Sequence, residues 1–164
     1  MNVQDNQEVI RVLIADDDEF VLNCYREAFS EADASNEMQA LDALSAELFD
    51  AKATDSEAPR FQVTACSQGD DAIDLAEEAA NDGHPFDVVI LDIRMPPGID
   101  GVVAGSQIRE LDPDVEIVFV SGYSDIPLEE LQRRVPPPMR LHCFSKPLSF
   151  SQLARDVATF VREH

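Results

Sequence analysis

Five polar residues, each placed after a short apolar run, have side chains that could together bind a metal ion and a phosphoryl group. They are the carboxylates of Asp16, Asp17 and Asp92, the hydroxyl of Ser121 and the ammonium of Lys146. Crowded carboxylates repel one another and stay ionised only beside a cation. Oxygen ligands of this kind suit Mg²⁺, which leaves coordination positions open for phosphate oxygens. The hydroxyl and the ammonium would contact those oxygens, and a carboxylate beside Mg²⁺ can attack phosphorus.

Five apolar runs predict the strands that must position these residues. The run before Asp92 lies between Gly83 and Pro96, which favours a buried strand over a piece of helix. Polar site residues follow four of the five runs. The runs are Arg11 to Ala15, Phe61 to Cys66, Phe86 to Leu91, Val115 to Val120 and Leu141 to Phe144.

Apolar residues at helical spacing predict a helix after each strand. The first helix is expected to face the core with Phe20, Val21, Cys24, Tyr25, Ala28 and Phe29. The others are expected after Ser67, over Val102 to Leu111, over Ile126 to Val135 and after Ser149 or Ser151.

This alternation of strands and helices predicts an α/β fold, a doubly wound, five-stranded parallel sheet with helices on both faces. The carboxyl ends of its strands form the edge where such sheets hold their chemistry. Asp16, Asp17 and Asp92 are therefore expected to lie close together.

A helical insertion is predicted between the first helix and the second strand, at about residues 35–60. No Gly or Pro occurs from Glu19 to Ala58, and a second apolar series recurs with helical period, formed by Met38, Leu41, Leu44 and Leu48. This series faces a different way from the first helix, so a separate helix is expected to begin near Glu37. Its place is the edge of the sheet opposite Asp92, where it would pack on a neighbour.

Composition indicates one domain over residues 1–164, with 45% hydrophobic residues. The 33 acidic and 12 basic residues give a negative field that argues against direct nucleic-acid binding. Cys24, Cys66 and Cys143 are expected to be buried, unpaired side chains. No signal peptide or membrane-length apolar run is present, so a cytoplasmic location, away from the membrane, is expected.

Four segments surround the predicted site, namely Ile14 to Asp18, Leu91 to Gly101, Val120 to Tyr123 and Phe144 to Pro147. In this order and at this spacing they resemble the receiver domain of two-component response regulators. The resemblance covers nearly the whole chain apart from about residues 35–60. It implies a flavodoxin-like sheet with strand order 2-1-3-4-5.

The resemblance also implies a Mg²⁺ site and a phosphoacceptor. Asp92 would accept the phosphoryl group and contact the metal, Asp16 and Asp17 would be its carboxylate pair, and the backbone carbonyl of Arg94 would be a further ligand. The side chain of Arg94 stands at a position that would tune the reaction. The loop Met95 to Gly98 is one residue longer than the usual form.

A conformational switch is implied by the remaining positions. Ser121 and Lys146 would contact the phosphoryl oxygens, and Ser121 would move toward them. The family usually has an aromatic residue three positions before the lysine, where this chain has Cys143. The neighbouring Phe144, or Tyr123 at a tuning position, would have to take its part, or the coupling would be weak.

The implied function is that of a signalling phosphoacceptor, which catalyses only its own phosphorylation and dephosphorylation. A histidine kinase or a histidine phosphotransfer protein would be the donor, and a downstream protein or output domain would respond. A homodimer is left open. The chain ends with the last predicted helix, which suggests a single-domain regulator or a receiver cut from a larger protein.

Two other protein classes share parts of this pattern. A haloacid-dehalogenase-type phosphatase also uses a strand-end Asp with Mg²⁺, but it needs a second Asp two residues later, where this chain has Arg94. A flavodoxin-like mononucleotide-binding module would share the sheet, but its first loop should offer hydroxyls and glycines to phosphate. Here that loop presents Asp16, Asp17 and Asp18.

Overall fold

The computed structural model describes residues 8–32, 59–122 and 126–164. The predicted insertion lies almost wholly outside these ranges, and so does Tyr123. Within them, no helix has the length and apolar character needed to cross a bilayer.

Five parallel strands form one sheet, which confirms the predicted fold class. The strands are β1 Val9–Ala15, β2 Arg60–Cys66, β3 Val88–Asp92, β4 Glu116–Ser121 and β5 Leu141–Ser145. Their order across the sheet is β2-β1-β3-β4-β5. β1 and β3 are therefore neighbours, and the strand that precedes Asp16 runs beside the strand that ends in Asp92.

Helices cover both faces of the sheet. α1 spans residues 19–32, where the described range stops, and is followed by α2 Gly69–Asn81, α3 Gly101–Leu111, α4 Leu128–Arg134 and α5 Phe150–Arg162. A short 3-10 helix, Pro138–Arg140, leads into β5. α3 and α5 begin with capping residues whose side chains accept hydrogen bonds from backbone N–H groups of the first turn. Asp100 accepts one from the Val103 N–H, and Ser149 accepts one from the Gln152 N–H.

The three central strands are buried on both faces because their side chains alternate between two hydrophobic clusters. Leu13, Val89 and Phe119 pack with residues of α2, α3 and α4. Ile14 and Ile90 pack on the other face with residues of α1 and α5. The strands are nearly continuous apolar runs for this reason.

Some side chains lie differently from the predictions. Phe20 is 75% exposed, and Leu22 instead faces the core from α1 beside Tyr25 and Phe29. The helical spacing of Ala104, Ile108 and Leu111 predicts that all three face the core from α3, but Leu111, at the end of this helix, is also exposed. Helical periodicity predicts the buried face of a helix only to within about one residue, since consecutive residues are about 100° apart around the helix axis.

The expectation of buried cysteines is wrong. All three are free thiols, but Cys24 and Cys66 are only partly buried and Cys143 is exposed. Cys143 lies on β5, the last strand of the sheet, and the neighbouring helix α4 has only seven residues. An apolar stretch of sequence does not indicate whether its strand is central or at an edge.

One buried arginine joins three segments at the amino edge of the sheet. Arg109 on α3 is 6% exposed. Its guanidinium donates to the carbonyl oxygens of Pro113 at 3.1 Å and Arg140 at 2.9 Å, and to that of Val115. These bonds tie the end of α3 to the turn before β4 and to the 3-10 helix before β5.

We expect Arg109→Lys to lower the free energy of unfolding by about 2 to 4 kcal/mol, because a lysine keeps the charge but cannot reach all three carbonyl oxygens. Urea unfolding should show a lower midpoint with an unchanged slope. The exposed Arg134 on α4 offers a control, since Arg134→Lys should change stability by less than about 0.5 kcal/mol. Equal stability of Arg109→Lys and the unaltered protein would contradict the assigned role.

Candidate phosphorylation and metal site

The predicted site residues meet at the carboxyl edge of the sheet. Asp16 follows β1, and its backbone N–H donates to the carbonyl oxygen of Cys66 at the end of β2. Asp92 is the last residue of β3 and is paired in register with Val120 on β4. Lys146 follows β5, and its N–H donates to the carbonyl oxygen of Ser121 at 2.8 Å. Parallel pairing therefore continues to the strand ends and aligns these residues.

Three carboxylates cluster there, those of Asp16, Asp17 and Asp92, with oxygen atoms within 4.8 Å of one another. Asp16 is 1% exposed and Asp92 8% exposed, while Asp17 is exposed to solvent. The Nζ atom of Lys146 lies 3.3 Å from Oδ2 of Asp16 and 3.1 Å from Oδ2 of Asp92. Asp16, Asp17, Asp92 and Lys146, which the sequence predicts to share one site, therefore lie together in the structure.

The electrostatics of this cluster are unfavourable for the carboxylate of Asp16. Burial raises the pKa of Asp16, and the nearby charge of Asp92 raises it further, against a hydrogen bond from the Asp18 N–H and the charge of Lys146. Burial lowers the pKa of Lys146, but Asp16 and Asp92 outweigh this effect, so its pKa is raised overall. The ammonium therefore stays charged beside the carboxylates of Asp16 and Asp92.

These residues fit a hard divalent cation. The donors are all carboxylate oxygens, as Mg²⁺ prefers, and an added cation would offset the burial and the nearby Asp92 charge that raise the pKa of Asp16. The exposure of Asp17 leaves the cluster open on one side, so that waters or phosphate oxygens can complete a coordination shell.

The backbone after Asp92 is held close to its carboxylate. The Arg94 N–H donates to Oδ1 of Asp92 at 3.2 Å, and the Gly101 N–H donates to the carbonyl oxygen of Ile93 at 2.8 Å. A Cβ atom on Gly101 would lie 2.1 Å from the carbonyl oxygen of Asp92. In the sequence Gly101 stands at the end of a motif, and nothing in that pattern indicates its close approach to Asp92.

The residues expected to form a switch lie on opposite faces of β5. Leu141 packs with α4 in one cluster, whereas Phe144 packs in the other, with its ring centroid 6.3 Å from that of Phe160 on α5. Because side chains alternate along a strand, Cys143 shares the face of Leu141. Phe144 therefore does not occupy the space beside Cys143, and Tyr123 lies outside the described residues.

Residues 51–157, more than half of the chain, match the family model described as Response regulator receiver domain. The chain belongs to this family. This match favours a receiver domain over the two other protein classes that share parts of the sequence pattern, the haloacid-dehalogenase-type phosphatase and the mononucleotide-binding module.

Curated relatives and solved structures include other receiver proteins. The chain is 31% identical over 97 residues to the sensor kinase CckA of Brucella abortus, a match that covers 59% of this chain but only 10% of CckA. It is 27% identical over 97 residues to the response regulator receiver protein CpdR of the same organism, covering 73% of that protein. A response regulator receiver protein from Sinorhizobium medicae has a similar structure, with a TM-score of 0.64 at 26% identity, covering 94% of this chain and 96% of that one.

The family match begins at residue 51 and so leaves out β1 and the acidic pair of this receiver domain. The structure places β1 between β2 and β3. It thereby brings Asp16 and Asp17 to Asp92 despite the long segment that separates them in sequence.

We expect Gly101→Ala to destabilise the receiver domain by about 2 to 4 kcal/mol, because the added methyl group would clash with backbone atoms that cannot move away cheaply. Thermal unfolding measures the effect. Gly122→Ala is a suitable control, since a Cβ there meets nothing within 4 Å. Similar melting temperatures for the two variants would show that the Gly101 contact is not close.

Proposed function

We propose that this receiver domain accepts one phosphoryl group on Asp92 in a reaction that requires Mg²⁺. The observation that carries the proposal is the convergence of three carboxylates and one ammonium at the end of β3, with Nζ of Lys146 3.1 Å from Oδ2 of Asp92. Family membership supports it, since a receiver domain is a signalling module and not a classical enzyme.

Asp16, Asp17 and Asp92 would hold Mg²⁺ with their carboxylates, and Arg94 would add its backbone carbonyl. When bound, Mg²⁺ supplies positive charge beside the incoming phosphoryl oxygens and so lowers the barrier to attack by a carboxylate. The Arg94 N–H donates a hydrogen bond to Oδ1 of Asp92, and this bond fixes the orientation of the Asp92 carboxylate.

In the transfer itself, a carboxylate oxygen of Asp92 forms a bond to phosphorus while the bond from phosphorus to the donor breaks. The donor leaves with the electron pair of that bond, as an imidazole from a phosphohistidine or as acetate from acetyl phosphate. Lys146 neutralises charge on the phosphoryl oxygens, and Ser121 donates a hydrogen bond to one of them. Water later hydrolyses the aspartyl phosphate, so the proposed activity of this chain is its own phosphorylation and dephosphorylation.

A histidine kinase or a histidine phosphotransfer protein is the proposed donor, in the cytoplasm. The proposed receiver of the signal is a downstream protein or an output domain. We also propose that residues 1–164 form one domain, in which the segment of about residues 35–60 is an insertion away from the site.

We propose that phosphorylation of Asp92 is transmitted to the surface of β5 in a different way from that of the usual receiver domain, which has an aromatic residue at the position of Cys143. Cys143 is small and exposed, and Phe144 packs toward α5, so no large ring from these two residues stands beside Ser121 on the Cys143 face. Either Tyr123 takes this part or the coupling is weak.

Incubation with acetyl phosphate and Mg²⁺ should add one phosphate to the chain, because all groups needed for transfer from a small donor lie within the domain. Intact mass spectrometry measures the addition. It should be absent with EDTA and absent in Asp92→Asn, which keeps the shape but loses the nucleophile. Asp74→Asn, at an exposed position of α2, should behave like the unaltered protein. Wild-type labelling of Asp92→Asn would refute the assignment.

We expect Asp17→Asn to raise the Mg²⁺ concentration needed for half-maximal phosphorylation by at least about tenfold, since it removes a charged ligand. Asp18→Asn is the matched control. Asp18 caps α1 by accepting from the Phe20 N–H and lies outside the cluster of three, and Asn caps equally well. Equal Mg²⁺ dependence of both variants would exclude Asp17 as a ligand.

A further inference from the structure

Gln68 stands at the start of α2 but does not cap it. It occupies the N-cap position, where Ser, Thr, Asp or Asn is preferred, and its side chain accepts no bond from its own helix. Instead, its carboxamide reaches the loop that follows Asp92. Oε1 accepts from the Gly98 N–H at 3.2 Å, and Nε2 donates to the carbonyl oxygen of Pro96 at 3.4 Å.

The loop fits closely against this side of α2. A Cβ atom on Gly98 would lie 2.6 Å from Oε1 of Gln68, and one on Gly69 would lie 2.9 Å from Cγ1 of Ile99. At Gly69 the added atom would also lie 3.1 Å from the carbonyl oxygen of Ile99, so the start of α2 and the loop approach each other closely there. At Gly98 the flexible side chain of Gln68 would have to move aside, and its contact with the loop would be disturbed.

Because the loop contains two consecutive prolines, the hydrogen bonds from Gln68 matter more for its position. Pro96 and Pro97 have no backbone N–H, so Gly98 carries the first amide donor after Met95. Gln68 satisfies that donor and also the carbonyl group of Pro96. The side chain of Met95 is buried, so the loop is held from the core by Met95 and from the side of α2 by Gln68.

The loop connects directly to the phosphoacceptor. Its first part contributes the Arg94 N–H that donates to Oδ1 of Asp92, and its base is closed by the bond from Gly101 to Ile93. Arg94 lies two residues before Pro96 and four before Gly98, so a shift of either would be passed along the loop to the group that orients the Asp92 carboxylate.

We propose that Gln68 is a positioning residue for phosphoryl transfer, which fixes the loop after Asp92 through Pro96 and Gly98. The proposal rests on the proposed function of Asp92. Loss of a group that fixes a reacting carboxylate lowers the rate without removing any ligand. The effect should therefore appear in the maximal rate and not only in the Mg²⁺ requirement.

Gln68→Met tests the proposal, because methionine has a similar length and no strong hydrogen-bonding group. At saturating Mg²⁺ and acetyl phosphate, the rate constant for phosphorylation should fall by about three- to tenfold. Amide hydrogen exchange at Gly98 should become faster while the melting temperature stays close to that of the unaltered protein. Gln107→Met, at an exposed position of α3, is the matched control and should change neither quantity.

An unchanged rate in Gln68→Met would overturn the proposal, and so would a slower rate with unchanged exchange at Gly98 or an equal loss in Gln107→Met. Failure of the unaltered protein to take up phosphate from any donor would instead overturn the proposed function, and the catalytic part of this inference with it. Exchange at Gly98 would still decide whether Gln68 holds the loop.

Discussion

Mutual repulsion between two buried carboxylates, those of Asp16 and Asp92, is the constraint on which the site depends. One ammonium, from Lys146, lies within 3.3 Å of both, and burial and the Asp92 charge still raise the pKa of Asp16. Buried charged groups with perturbed pKa values are unfavourable for stability and cluster at functional sites. Here three neighbouring carboxylates provide oxygen donors of the kind that suit a hard divalent cation.

The sheet brings these charges together from distant parts of the chain. Lys146 is 130 residues from Asp16 and 54 from Asp92 in sequence. Parallel pairing brings the carboxyl ends of these strands to one edge of the sheet, and the order β1-β3-β4-β5 makes β1 and β3 neighbours. The apolar residues of β1, β3 and β4 supply the burial that holds the strands in place, and Gly101 allows α3 to start directly against the backbone of Asp92.

Local rules predicted most of the helices and strands because periodicity and turn residues act over a few residues. The same rules were weaker where burial depends on distant neighbours. Cys143 lies in an apolar run but is exposed on an edge strand, and Phe20 fits a helical stripe but faces solvent. A glutamine near a helix start, such as Gln68, gives no sign in the sequence that it contacts a loop 28 to 30 residues further on.

By itself, the sequence determined the alternation of strands and helices and the polar residues that end the strands, because both are written in local patterns of residue type. It also supplied the chemistry, since carboxylates, a hydroxyl and an ammonium suit a metal and a phosphoryl group. The predicted parallel sheet also led to the expectation that Asp16 and Asp17 lie close to Asp92. Only the tertiary structure decided the distances within this cluster, the faces of β5 on which Phe144 and Cys143 lie, and the contact of Gln68 with the loop after Asp92. These contacts join distant segments, and their existence depends on how the whole sheet and its helices pack.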